Sequence, residues 1–134
     1  MNFRIVRDLY EIPLEEVQRL LKTTYWANQR PPEQIEHSMR HSECYGLRVE
    51  GVDRLVGFAR VITDFATTYY LCDIVIDPDY RGRGLGTALV GHIVSRPEYA
   101  GLRGLLITRD AHALYRKFGF EVLDGRAMAK APNG

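Results

Sequence analysis

The stretch Ile74-Val75-Ile76-Asp77-Pro78-Asp79-Tyr80-Arg81-Gly82-Arg83-Gly84-Leu85-Gly86-Thr87-Ala88-Leu89 constrains this chain more than any other. An apolar run ended by Asp-Pro reads as a buried strand and a sharp turn. Three alternate glycines then lead into Leu85, Leu89 and Ile93, spaced along one helix face. Glycines let backbone N–H groups approach a ligand with no Cβ in the way, and a helix N-terminus adds unpaired donors and partial positive charge. Arg81 and Arg83 add guanidinium groups suited to phosphate oxygens. The segment predicts an anion-binding turn between a strand and a helix. A Walker A loop is excluded, because it needs Gly-Lys-Ser/Thr, and a dinucleotide fingerprint needs G-x-G-x-x-G directly after the first strand. Here the pattern is G-x-G-x-G, after four further residues.

Before this stretch, Asn2 to Val6 alternates as a short strand, and Leu14, Val17, Leu20, Leu21 and Tyr25 recur at helical spacing after Pro13. Pro31 and Pro32 start a second helix, with Ile35 and Met39 on one face. Tyr45 to Val49, Leu55 to Ile62 and Tyr69 to Ile76 read as three successive antiparallel strands joined by turns at 51–54 and 64–67. After the glycine segment come a helix, a strand over Leu105–Thr108, a helix carrying Ala111, Leu114, Tyr115 and Phe118, and a strand over Phe120–Leu123. The pattern predicts an α/β (α+β) architecture: one mixed, mostly antiparallel sheet of six to seven strands flanked by about four helices.

With 134 residues the chain is expected to form a single domain over 1–134. Its 46% apolar and 26% charged content is that of an ordinary globular protein rather than a disordered one. The net charge of +1 hides a split: residues 1–80 carry nine basic and thirteen acidic side chains, residues 81–134 nine and four. With no run of Lys and Arg, neither nucleic acid nor a membrane is expected as partner. No apolar run approaches the roughly 20 residues of a membrane span and the start has no signal-peptide pattern, so a cytoplasmic location is expected. Cys44 and Cys72 form no CxxC pair and read as buried thiols, and His37 and His41 lack further ligands, so no metal is expected.

Arg81-Gly82-Arg83-Gly84-Leu85-Gly86-Thr87-Ala88 resembles the (Gln/Arg)-x-x-Gly-x-(Gly/Ala) pyrophosphate loop of the GNAT superfamily of acetyl-CoA-dependent N-acetyltransferases. Tyr115, twenty-nine residues beyond Gly86, sits in Ala111-His112-Ala113-Leu114-Tyr115-Arg116-Lys117-Phe118-Gly119-Phe120, which is similar to that family's A-x-x-x-Tyr-x-x-x-Gly-Phe signature. Two ordered motifs are far more specific than either alone. The resemblance implies that Ile74, Val75 and Ile76 pair with the pantetheine arm of acetyl-CoA, that Arg81, Gly82, Arg83, Gly84, Leu85, Gly86 and Thr87 hold its pyrophosphate, and that strands 4 and 5 splay to admit the acyl group. Thr108 stands where many relatives place an asparagine touching the cofactor.

Acetyl transfer to an amine needs a neutral amine, donors for an oxyanion and a proton for the departing thiolate. By the resemblance, Tyr115 is the general acid and Asp73, where relatives often carry glutamate, is the first candidate base, ahead of Asp64 and His112. Tyr25 and Trp26, with Asp64, are candidate acceptor contacts, and the acidic first half of the chain points to an acidic acceptor opening near Asp64 and Asp73. The expected function is acetyl transfer to a primary amine, on a small molecule rather than a protein, by direct attack in a ternary complex. A catalytically silent acyl-CoA-binding module is the alternative. Family analogy is compatible with a homodimer.

Overall fold

The computed structural model describes residues 1–132, so the last two residues of the expected domain lie outside it. One sheet runs in spatial order β1 (Phe3–Val6), β2 (Glu43–Val49), β3 (Gly57–Thr63), β4 (Thr68–Ile76) and β5 (Arg103–Leu105). The first four strands are antiparallel neighbours and β5 is parallel to β4. Four helices complete it: α1 (Leu14–Leu21), α2 (Pro32–Arg40), α3 (Leu85–Val94) and α4 (His112–Arg116).

The mixed sheet and helix number are as expected, but the strand number is five among the described residues, not six to seven. Phe120–Leu123 forms no strand. The Phe120 N–H donates to the Tyr115 carbonyl at 3.3 Å and its ring meets the Tyr115 ring edge-on at 6.0 Å, which ties the segment to α4 instead of the edge of β5. The strand expected over Leu105–Thr108 begins two residues earlier and ends at Leu105. Gly104 makes that register feasible, because a Cβ there would lie 2.5 Å from the Tyr69 ring, which stacks on Tyr99. Tyr25 lies beyond α1: the Thr23 and Thr24 hydroxyls donate to the Leu20 and Leu21 carbonyls at 2.7 Å, an alternative to continuing the helix.

The sheet separates two cores. Val17, Leu20 and Leu21 of α1 and Ile35 and Met39 of α2 pack with Val6, Cys44, Phe58 and Val75. Leu85, Leu89, Val90 and Ile93 of α3 and Tyr115 of α4 pack with Tyr45, Leu47, Ala59, Val61, Tyr69 and Leu71 on the other face. Leu71 and Val75 are four residues apart on β4, an even separation that an unbroken strand would place on one face. They lie in opposite cores because β4 carries a bulge. Phe58 pairs with Val75 and Arg60 with Cys72, so Ala59 alone faces Asp73 and Ile74. Asp73 takes the extra residue's place in the left-handed region at φ 54°, a conformation that Asp tolerates better than most side chains.

A second aspartate orients the turn that leaves β4. Buried Asp77 accepts from Arg19 Nη1 at 2.9 Å, Arg54 Nε at 3.1 Å and the Asp79 N–H at 2.9 Å. Its own N–H donates to the Val56 carbonyl at 2.7 Å. Arg19 also donates to Glu16 and to the Leu55 carbonyl, so one arginine of α1 links the helix, the β2–β3 connection and the exit of β4. Burial alone would raise the Asp77 carboxyl, but its hydrogen bonds and the two guanidiniums outweigh that and hold it below its ordinary value. A carboxylate depressed in the folded state adds stability above its unfolded pKa and loses it as pH falls through the folded one. Asp77→Asn should therefore cost about 2–4 kcal/mol near neutrality and reduce the loss of melting temperature between pH 6 and pH 3, read by thermal denaturation across that range.

Candidate active site

Beyond Tyr70 and Leu105 the pairing between β4 and β5 ends, while β4 continues to Ile76. The two strands part there, and a cleft of about 960 Å³ opens between them. One wall is β4 from Tyr70 to Ile76, whose backbone on that side has no strand partner. The opposite wall is Ile107, Thr108, Asp110, Ala111 and α4 with Tyr115. The glycine segment closes one end, where Arg81 Nη2 donates to the Thr23 hydroxyl at 3.4 Å, and Trp26, Arg30 and Arg60 gather around Asp73 farther back along β4.

The glycine end is built as a cradle. Gly82 and Gly84 have φ of 76° and 79°, and a Cβ on either would meet nothing within 4 Å. Positive φ makes glycine the favoured residue there, and the open space leaves the turn's backbone approachable from the cleft. Gly84 is the N-cap of α3, which has no side-chain capping bond, so the free N–H groups of its first turn face the loop. Arg81 borders the cleft but donates from Nε to the Ile76 carbonyl at 3.1 Å, clamping the loop to the end of β4. Arg83 does not border the cleft; its guanidinium lies 5.0 Å from the Tyr80 ring.

The other expected residues divide as follows. Tyr25, Trp26, Asp73, Ile74, Val75, Ile76, Gly82, Gly84, Leu85, Gly86, Thr87, Thr108 and Tyr115 all line the cleft. Asp64 does not: it accepts from the N–H groups of Ala66 and Thr67 and from the Thr67 hydroxyl, holding the β3–β4 turn. His112 is also outside the lining. The Thr108 hydroxyl accepts the Ala111 N–H at 3.0 Å, fixing the start of α4 and hence Tyr115. Burial pushes the Tyr115 phenol up to about 12, with Asp110 adding to the rise. It therefore carries its proton throughout the physiological range.

Asp73, the first candidate base, is held from three directions. Its Oδ1 accepts from Trp26 Nε1 at 3.0 Å, and its Oδ2 accepts from Arg30 Nη1 at 2.7 Å and Arg60 Nε at 3.0 Å. Burial would raise its pKa, but the two guanidiniums prevail and hold it below the ordinary carboxylate value. A general base works best with a pKa near the operating pH, and Asp73, held below the ordinary carboxylate value with three donors on its two oxygens, is poorly suited to that role. Its geometry instead ties β4 to β3 and to the segment after α1. The acidic acceptor opening is corrected by the same contacts, because two arginines here meet one carboxylate. Arg60 was not among the expected site residues. It reads as one charge in a strand, and only the β3–β4 register sets it beside Asp73. Cys72 borders the cleft too, but burial pushes its thiol up to about 11, so it is a poor nucleophile. Among the described residues no group of three or more His, Cys, Asp or Glu side chains could hold a metal.

Comparison with known proteins gives a family match over residues 6–120 to the acetyltransferase (GNAT) family. A solved structure from Xanthomonas campestris pv. campestris, assigned to that family, is 34% identical, with a TM-score of 0.88 over 99% of this chain and 94% of that one. The uncharacterized N-acetyltransferase ycf52 of Porphyra purpurea is 29% identical, covering 86% of this chain and 71% of that protein. Histone acetyltransferase TAP1 of Glycine max is 30% identical over 81% of this chain, which spans 45% of that protein.

The cradle makes its own prediction. Because space is open at Gly84, Gly84→Val should cost the fold only the left-handed strain, about 1–2 kcal/mol, while placing a side chain over the loop. Isothermal titration with coenzyme A should show at least a tenfold loss of affinity, and Gly101→Val, which has nothing within 4 Å of its Cβ and lies outside the cleft, should show none.

Proposed function

The chain belongs to the acetyltransferase (GNAT) family, and from that premise we propose that it transfers an acetyl group from acetyl-CoA to the primary amine of a small molecule, by direct attack in a ternary complex. The observation that carries this reading is the parting of β4 from β5 next to the glycine cradle, with Tyr115 on the facing wall. Acetyl-CoA supplies an activated thioester when bound. The cradle at Gly82 and Gly84 and the unpaired edge of β4 from Ile74 to Ile76 suit a pyrophosphate and an extended amide-bearing arm.

The residues divide the proton work unevenly. An ordinary thiol has a pKa of about 8.5, well below the value of about 12 to which burial takes Tyr115. Handing the phenolic proton fully to a thiolate is therefore uphill. Tyr115 Oη acts instead as a hydrogen-bond donor to the departing sulfur, which takes its final proton from water. Both carboxylates that line the cleft face guanidiniums: Asp73 is engaged by Arg30 and Arg60, and exposed Asp110 lies 3.9 Å from Arg109. The amine is deprotonated through water, and the excess positive charge of Arg30 and Arg60 disfavours its ammonium form. The amine's proton leaves to solvent, the new C–N bond forms and the C–S bond breaks.

A small acceptor is supported by the contact across the cleft mouth, where the Arg109 guanidinium lies 3.6 Å from the centre of the Tyr25 ring. It bridges the segment after α1 to the segment before α4, beside the cleft-lining Tyr25 and Asp110. The free thiols Cys44 and Cys72 support a reducing compartment, the cytoplasm in the sequence reading. No helix among the described residues is long and apolar enough to cross a membrane.

Tyr115→Phe should leave acetyl-CoA affinity within twofold and lower kcat by about 10²-fold or more, measured by thiol release with a broad amine panel. Because burial pushes the phenol up to about 12, the wild-type kcat profile should have no alkaline limb from Tyr115 below about pH 10. Undiminished turnover in Tyr115→Phe removes its donor role; tight acetyl-CoA binding without turnover of any amine favours the silent module.

A further inference from the structure

We infer that the acceptor amine carries an oxyanion, a carboxylate or phosphate, which docks on the spare guanidinium edges of Arg30 and Arg60. This deepens the acetyl-transfer reading and rests on it. Both side chains line the acceptor end of the cleft, and both are largely buried, at 20% and 12% exposure. They converge on a single oxygen, Asp73 Oδ2, at 2.7 and 3.0 Å. Arg60 also donates from Nη1 to the Ser42 hydroxyl at 2.9 Å.

A guanidinium has five N–H donors, so these contacts use only part of each fork. The remainder are not orphaned inside the protein: among the described residues the one buried side-chain nitrogen or oxygen without a partner is Arg96 Nε. The nitrogens of Arg60 and Arg30 that make no hydrogen bond are therefore not sealed from solvent, and both residues line the cleft. One carboxylate against two guanidiniums leaves an excess positive charge in a partly desolvated site. Arg109 and Asp110 at the mouth offset each other, so the excess is not cancelled there. A planar fork of N–H groups with surplus charge matches a carboxylate or phosphate, and it repels an acceptor with additional cationic groups. Ion pairing to Asp73 also holds the forks in place before ligand arrives, lowering the entropy lost on binding.

Paired probes that differ only in the anion test this on the unmodified protein. Glycine is compared with glycinamide, 4-aminobutyrate with 4-aminobutyramide, and O-phosphoethanolamine with ethanolamine; spermidine serves as polycation. Each is titrated into coenzyme A-loaded protein by calorimetry and assayed for thiol release from acetyl-CoA. The anionic member of at least one pair should bind, and be acetylated with kcat/KM, at least tenfold better than its partner, and the pair that responds tells carboxylate from phosphate. Arg30→Gln should bring that pair to within threefold and Arg30→Lys should recover part of the gap, with the coenzyme A-induced rise in Tm unchanged in both. Equal or better use of the neutral members, preference for spermidine, or no binding of any anionic probe overturns the inference. Anion binding without any turnover keeps the site and removes the acetyl-transfer reading; turnover of neutral amines alone does the reverse.

Discussion

The clamp on Asp73 is the constraint from which the rest of the structure follows. A left-handed residue in the middle of a strand costs roughly 1–3 kcal/mol, and here it is held by Trp26 and Arg30 from the segment after α1 and by Arg60 from β3. Buried ion pairs add little net stability, because desolvation offsets attraction, but removing one partner leaves a buried charge uncompensated. The clamp is therefore better understood as a device that makes one geometry of β4 the only satisfied one. That geometry has two consequences. The extra residue reverses the facing of β4, so Leu71 and Val75 each reach their own core. It also sits just past Tyr70, the last residue paired to β5, where the cleft begins.

Local features were legible in the sequence because they are encoded locally. Pro32 at the start of α2, the apolar stripe of α3, the turn at Asp77-Pro78 and the glycine segment each carry their signal within a few residues. The bulge has no such signal. Tyr69, Leu71, Asp73 and Val75 are all buried at alternate positions, as in a regular strand, and the pattern conceals that Val75 points the other way from Leu71. The clamp is hidden for a different reason: its members are separated by 13, 43 and 47 positions. A split of charge between sequence halves could not represent it, since the acidic half supplies the arginines that make the acceptor end positive.

The strand count failed where local pattern lacked a partner. Phe120–Leu123 has a strand-like composition, but a strand exists only where a neighbour satisfies its N–H and C=O groups. Phe120 spends its N–H on α4, and β5 is only three residues long. The shortness of β5 has a function in the sheet: had it continued along β4 past Leu105, it would have filled the backbone edge that the cleft leaves open.

Tyr115 and Asp73 show how burial acts in opposite directions on two acids in one cleft. Both are desolvated, and desolvation alone would push both upward. Tyr115 meets no cation that reverses the trend, and neighbouring Asp110 reinforces it, so the phenol stays protonated and able to donate. Asp73 meets two guanidiniums, which overwhelm the same penalty and keep it charged. The chemistry left to the cleft follows from that asymmetry. It can donate a hydrogen bond and present positive charge, while its buried carboxylate is engaged by two guanidiniums. In the proposed reaction deprotonation runs through water and the field of Arg30 and Arg60, and a field that expels a cation from the amine is one that attracts an anion elsewhere on the same molecule.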